Sequence, residues 1–322
     1  MTVTQPSFGV VVVNWNGLAD TRTCLESLAA ATPAPARVIV VDNGSTDGSL
    51  EGLERWRMGK PMPLSIIAAR ANRGFAGANN LGVAALAADP AITHYLLLNN
   101  DATVDPRFFG ELGRALATVP GAGLVGPTIY VTGRPGAVWY AGGHFVPLRG
   151  LVVHDTAVPG GPAPVATEFV TGCAMLISRR AWEALGPLPE CYFIYFEDAE
   201  YSWRAREAGL AVLYAPHAIA YHAVGAAVRR RVARPQVEYW NTRHRALFTR
   251  RNLRGWRRWG ALAYLATTKP ARALVQLLRG RPALAWAALS GTVQGLLSKQ
   301  GNRVAREPAA AQRSADGVLI DE

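Results

Sequence analysis

The 322-residue chain has little that could staple it together or carry it across a membrane. Its three cysteines, Cys24, Cys173 and Cys191, are odd in number and widely spaced. That excludes a disulfide framework and any zinc-ligand spacing, and predicts a reducing compartment. No charged leader, longer apolar region or small-residue cleavage site precedes Phe8-Gly9-Val10-Val11-Val12-Val13, so cytoplasmic residence is expected. The 17 uncharged residues between Arg281 and Lys299 are broken by Pro282, Ser290, Gly291, Thr292, Gln294 and Gly295 and make a poor spanning helix. The chain has no Gly-Lys-Ser/Thr phosphate loop, which argues against nucleotide hydrolases. Acids nearly vanish between Arg229 and Arg303, where 17 Lys or Arg face Glu238 alone, a net +16 that leaves −5 for the rest of a +11 chain. The basic character therefore belongs to a C-terminal extension.

What is present is apolar material, half of the chain, enough for one large core or for a core with an appendage. Val10 to Val13, Val38 to Val41, Leu64 to Ile67, Tyr95 to Leu98 and Leu124 to Val125 read as strands, separated by helical stretches near 18–31, 75–88 and 106–118. This βαβ rhythm predicts an α/β fold built on a doubly wound, mostly parallel sheet. From about 130 to 178 the pattern turns Gly- and Pro-rich, with Val138-Trp139-Tyr140 and Phe169-Val170 suggesting a small antiparallel region. The polar tail 304–322 is expected to be disordered.

Three predicted strands end in polar, turn-forming residues: Asn14-Trp15-Asn16-Gly17, Asp42-Asn43-Gly44-Ser45 and Asn99-Asn100-Asp101. A parallel sheet puts such ends on one edge, where ligands of open α/β sheets collect. Asp42 is placed to accept from a base N–H, or else to serve the turn. Asp101, with Asn99 and Asn100, suits a hard divalent cation such as Mg2+ or Mn2+, or a plain polar turn. A fourth cluster, Asn72-Arg73-Gly74-Phe75-Ala76-Gly77-Ala78-Asn79-Asn80, opens a helix, and amides there with an arginine could hold a diphosphate. A fifth, Tyr192 to Arg204, leads aromatic residues into Glu197 and Asp198 at a helix start. The helix dipole alone favours acids there, but a carboxylate walled by aromatics can also gain the basicity of a general base.

These ordered motifs resemble family 2 glycosyltransferases with the GT-A fold, and among them the bacterial rhamnosyltransferase-type enzymes of cell-surface polysaccharide synthesis. The motifs are Val-Val-Asn-Trp-Asn-Gly, Val-Asp-Asn-Gly-Ser-Thr-Asp-Gly-Ser, Asn-Arg-Gly-Phe-Ala-Gly-Ala-Asn-Asn, Leu-Leu-Asn-Asn-Asp, Thr-Gly-Cys-Ala-Met-Leu-Ile and Phe-Glu-Asp-Ala-Glu-Tyr-Ser-Trp-Arg, between Val10 and His222. The resemblance implies a catalytic domain over 1–228, with a nucleotide-sugar half to about 130 and an acceptor half beyond it. It implies a nucleotide-diphosphate sugar held by Asn14, Asn16, Asp42, Asn72, Arg73, Gly77, Asn80, Asn100 and Gly172. It also implies a divalent cation on Asp101 and His222, with His217 a competing ligand, and inverting transfer with Asp198 as base and Glu197 the alternative. Asn99 stands where the family's Asp-x-Asp element has its first acid, so Asp101 carries more of the cation. The subgroup leans toward dTDP-rhamnose as donor, with UDP-hexoses or galactofuranose open, and a glycan or lipid-linked acceptor. Gln236-Val-Glu-Tyr-Trp240 lacks the arginine of the processive Gln-x-x-Arg-Trp element, so one sugar per encounter is expected.

The extension 229–303 reads as basic amphipathic helices. Trp256, Trp259, Tyr264 and Trp286 among arginines fit an anionic lipid surface, against packing on the core or between subunits. Two other readings compete. A sugar-nucleotide nucleotidyltransferase should show a Gly-rich, basic N-terminal loop where this chain has Asn14-Trp15-Asn16-Gly17. A nucleic-acid-binding protein is disfavoured by the long apolar segments between the basic residues.

Overall fold

The computed structural model describes residues 6–59, 62–224 and 232–298. The first half alternates β1 (Phe8–Asn14), α1 (Leu18–Ala29), β2 (Arg37–Asp42), α2 (Ser49–Arg57), β3 (Leu64–Ala68), α3 (Gly74–Ala87) and β4 (His94–Asn99). The order β3-β2-β1-β4 is parallel throughout. Apolar residues on successive positions point to opposite faces, so each strand feeds two cores. Val10, Val12, Val38, Val40, Leu96 and Leu98 pack with Leu25 and Leu28 of α1. Val11, Ile39, Val41 and Leu97 pack with Val83 and Leu86 of α3. Gly82 lets α3 approach the sheet closely, since a Cβ there would overlap Val11.

The second half adds β5 (Ala102–Val104), α4 (Phe108–Thr118), β6 (Ala122–Val131), β7 (Val138–Tyr140), β8 (Gly143–Val146), β9 (Leu151–His154), β10 (Val165–Ala166), β11 (Ala174–Ser178), α5 (Arg179–Leu185), α6 (Glu197–Glu207) and β12 (Ala211–His222). Here the sheet becomes mixed: β11 runs antiparallel between β4 and β6, in the middle of the sheet. The predicted strand at Phe169-Val170 is instead buried coil. Its backbone is satisfied by side chains, with Tyr140 Oη donating to the Phe169 carbonyl and the Val170 N–H donating to Ser202 Oγ.

The extension forms α7 (Arg234–Asn252), α8 (Gly255–Leu278) and α9 (Pro282–Leu297). It is not a detached appendage. Trp240, His244, Leu247 and Phe248 of α7 are buried, Phe248 stacking on Phe145 at 5.9 Å. Among the described residues no helix is long and apolar enough to cross a membrane. Arg229-Arg230-Arg231 and the tail 304–322 lie outside the described residues.

Candidate active site

The three strand ends meet as the parallel order requires, and a chain of hydrogen bonds links them. Asn14 Nδ2 donates to Asp42 Oδ2 (2.8 Å) and Ser45 Oγ (3.1 Å), while Thr21 Oγ1 donates to Asn14 Oδ1 (2.7 Å) and accepts from Asn100 Nδ2 (3.0 Å). Asp42 Oδ1 accepts from the Ser45 N–H, and Asn16 Oδ1 from that of Thr46. Asn14 is wholly buried and Asp42 nearly so. The side chains of Asn14, Asn16 and Asp42 thus brace one another's loops, and the open space beside them is lined by their neighbours.

That space is a pair of clefts joined at Phe75, Asn99 and Ile194. The smaller, about 160 Å³, lies among Trp15, Asn43, Asn72, Asn100, Phe193 and Trp240. The larger, about 610 Å³, holds Asp101, His222, Gly172, Glu197 and Asp198. Arg73, Gly77 and Asn80 line neither. Arg73 pairs with Glu190 at 3.6 Å, and Asn80 donates to the Leu188 carbonyl and Glu190 while accepting from the Leu188 N–H. In this structure these residues tie the start of α3 to the loop that leads toward α6. Asn43, which the sequence reading passed over, holds this turn: it donates to Asn72 Oδ1 (3.0 Å) and accepts from the Arg73 N–H (2.9 Å).

The chain enters α6 through Tyr195 (φ 68°) and Phe196 (φ 75°), two consecutive left-handed residues without glycine. Such strain persists only where the surroundings enforce it, and it gathers at functional sites. Here α7 enforces it. Trp240 stacks on Phe193 at 4.8 Å, and buried His244 donates from Nδ1 to the Ile194 carbonyl at 2.7 Å. Burial, with Arg243 nearby, depresses His244 to about 3, so its ring is neutral.

The bend delivers two carboxylates in different environments. Asp198 accepts from the Gly172 N–H through Oδ2 and from the Ala199 N–H through Oδ1, both at 2.8 Å. Burial raises its pKa and these N–H groups oppose the rise. Glu197 is 4% exposed, its Oε2 has no hydrogen-bond partner among the described residues, and burial plus the Asp198 charge push it well above the carboxylate range. Burial raises both acids, but Glu197 also bears the Asp198 charge while N–H groups support the Asp198 carboxylate, a difference of the kind that divides proton-transfer roles. Glu200, on the same turn, serves the structure: it accepts from Tyr192 Oη (2.6 Å), Arg251 (2.8 and 2.9 Å) and Asn252 (2.9 Å).

His222 is the last residue of β12. Antiparallel pairing sets it opposite Ala102, so its Nε2 lies 3.1 Å from Asp101 Oδ1, both side chains buried. Two neighbouring ligands of one ion at about 2.1 Å and right angles stand about 3 Å apart, and one oxygen with one imidazole nitrogen suits Mn2+. Among the described residues no group of three or more His, Cys, Asp or Glu forms a metal site. The pair supplies two donors, and an ion held there would need its remaining ligands from substrate.

Residues 9–185 match the family described as Glycosyl transferase family 2. The chain is 27% identical over 234 residues to the N-acetylglucosaminyl-diphospho-decaprenol L-rhamnosyltransferase of Mycobacterium tuberculosis, covering 66% of this chain and 75% of that protein. Among solved structures, the mannosyltransferase PcManGT from Pyrobaculum calidifontis, in complex with GDP-Man and Mn2+, superposes with TM-score 0.56 at 18% identity, covering 92% of this chain and 89% of that one. GalNAc-T7 with UDP, GalNAc and Mn2+ gives 0.58 at 17%, covering 68% of this chain and 44% of that one. The family match spans more than half of the chain and its neighbours share the GT-A-like fold, so the protein belongs to glycosyltransferase family 2 and resembles its rhamnosyltransferases.

Proposed function

We propose that the enzyme transfers one sugar at a time, with inversion, from a nucleotide-diphosphate sugar to a hydroxyl of a prenyl-diphosphate-linked N-acetylglucosamine. The donor proposed is dTDP-rhamnose, following the mycobacterial relative's acceptor and sugar. The observation that carries the chemistry is Asp198, fixed by the Gly172 and Ala199 amides in the same cleft as Asp101 and His222. The nucleotide occupies the smaller cleft between Trp15, Asn43, Asn72 and Trp240. Asp198 takes the proton from the acceptor hydroxyl as that oxygen attacks the anomeric carbon. Burial and the Asp198 charge disfavour a second negative charge on Glu197 beside it. Asp101 and His222 would hold Mg2+ or Mn2+, which when bound supplies positive charge against the leaving diphosphate.

The C-terminal helices support work at the inner face of a membrane. Trp256 (69% exposed), Trp259 (70%), Leu278 (80%) and Trp286 (73%) stand among exposed Arg254, Arg257, Arg279 and Arg281. Apolar anchors mixed with cations suit an anionic lipid surface.

A nucleotide-sugar panel with Mn2+ and Mg2+, read by thermal shift and by the anomer formed, tests the reading. Asp198→Asn should keep donor binding and lose transfer by about a thousandfold. Wild-type turnover by that variant, or a product of retained configuration, would refute it.

A further inference from the structure

The larger cleft carries a group of cations that the proposed chemistry does not use. Arg245 of α7 and Lys269 and Arg272 of α8 line it, together with Glu238. None of them lines the nucleotide cleft. Spacings of three and four residues put Glu238, Asn241 and Arg245 on one face of α7, and Lys269 with Arg272 on one face of α8.

Lys269 is 4% exposed. Among the described residues its ammonium makes no hydrogen bond, and its nearest acid is Glu238 Oε1 at 3.9 Å. A buried charge so loosely matched is costly. Burial pushes its pKa down to about 8, Arg245 and Arg272 adding to the effect and Glu238 opposing it. Arg245 cannot easily turn away. Its Nε donates to the Arg149 carbonyl at 2.9 Å, and its guanidinium lies 5.1 Å over the Tyr264 ring, which Arg149 also covers at 5.7 Å. Three cations, Arg245, Lys269 and Arg272, thus gather with Glu238 at the wall of a cleft that contains the candidate base. Like charges gathered this way destabilise the site unless an anion joins them.

The geometry points to a second anion site, in which Arg245, Lys269 and Arg272 hold the diphosphate of a prenyl-diphosphate acceptor while its sugar hydroxyl reaches Asp198. The assignment rests on the function proposed above, and it deepens that reading by giving the acceptor's charged group its own residues. Helix α8 then supplies a path for the tail. Exposed Leu274, Leu277 and Leu278 lie about 8 to 14 Å along the helix from Lys269 at about 1.5 Å per residue, toward the C-terminal end of α8.

Calorimetric titration of the full chain with farnesyl diphosphate, and separately with dTDP and UDP in Mn2+, tests the site in wild type, Lys269→Met, Lys269→Arg and Arg272→Met. The exposed Arg272 guards against a misfolded Lys269 variant. Each methionine variant should weaken farnesyl diphosphate about tenfold or more, the loss of one charge-assisted contact. Lys269→Arg should retain binding, and nucleotide affinity should stay within about twofold. Farnesyl diphosphate affinity unchanged in both methionine variants overturns the assignment. So does a loss confined to dTDP or UDP, which would give these cations to the donor. Wild-type transfer to a prenyl-diphosphate-linked N-acetylglucosamine reports on the functional reading separately. Absent transfer with Lys269-dependent farnesyl diphosphate binding removes that reading and leaves the site; normal transfer with variant-insensitive binding removes the site and leaves the reading.

Discussion

Replacing Arg251 by methionine should cost about 3–5 kcal/mol of stability, far more than most surface arginines are worth. Its partner Glu200 is 2% exposed, and Arg251 contacts both carboxylate oxygens. Without it the carboxylate keeps, among the described residues, Tyr192 and Asn252 and stays buried as an under-compensated charge, which is what breaking one side of a buried pair leaves behind. The double variant Arg251→Met, Glu200→Leu removes both charges and should recover most of the loss, giving a coupling of about 2 kcal/mol or more. Urea denaturation of the wild type, both single variants and the double variant measures this. The pH dependence has a definite sign. Burial alone would raise the Glu200 pKa, but the bonds from Arg251, Tyr192 and Asn252 outweigh it and hold the folded-state value below 4.5. The stabilisation is therefore complete above about pH 4.5 and is lost as pH falls through the lower folded value. Because α6 carries Glu197 and Asp198, kcat should fall along with stability. A single variant within about 0.5 kcal/mol of wild type, or a double variant no more stable than Arg251→Met, would defeat the reasoning.

Glu197→Gln should cost less than about tenfold in kcat, because burial and the Asp198 charge already disfavour the charged form of Glu197; a loss as deep as that of Asp198→Asn would transfer the base role to Glu197. The raised Asp198 pKa sets the acid limb of kcat/KM above the ordinary aspartate value, with activity falling as pH drops through it, and a limb at or below 3.8 would contradict this. Gly74→Ala should destabilise by about 1–3 kcal/mol, since Gly74 has φ 70° and a Cβ would strike the Phe193 carbonyl; an unchanged melting temperature would show that the loop is not held there. Trp256→Ala with Trp259→Ala should reduce flotation with anionic liposomes while sparing turnover on a water-soluble acceptor, and undiminished flotation would remove α8 as the anchor.

The parallel half of the sheet was legible in the sequence because its signals are local. Apolar runs of strand length, interrupted by Asn14, Asp42 and Asn99 to Asp101, mark both the strands and the edge where they stop. The acids at Glu197 and Asp198 likewise announce a helix start within a few residues. Which faces those side chains turn was not legible. Asn14 and Asp42 spend their hydrogen bonds on each other, Arg73 turns to Glu190, and β11 enters the sheet antiparallel through pairings with strands far away in sequence.

The sequence by itself determined the family, the α/β order and the short list of carboxylates, since motif order and period-two burial survive without coordinates. Only tertiary structure decided how the site is assembled. Glu200 and Arg251 are 51 residues apart, and His222 reaches Asp101 because β12 pairs with β5. The basic extension, set apart by charge, proves through α7 to be the wall that holds the strained bend before Asp198. Composition reports how much charge a segment carries, whereas burial and packing decide which of those charges must find a partner, and Lys269 is the clearest case.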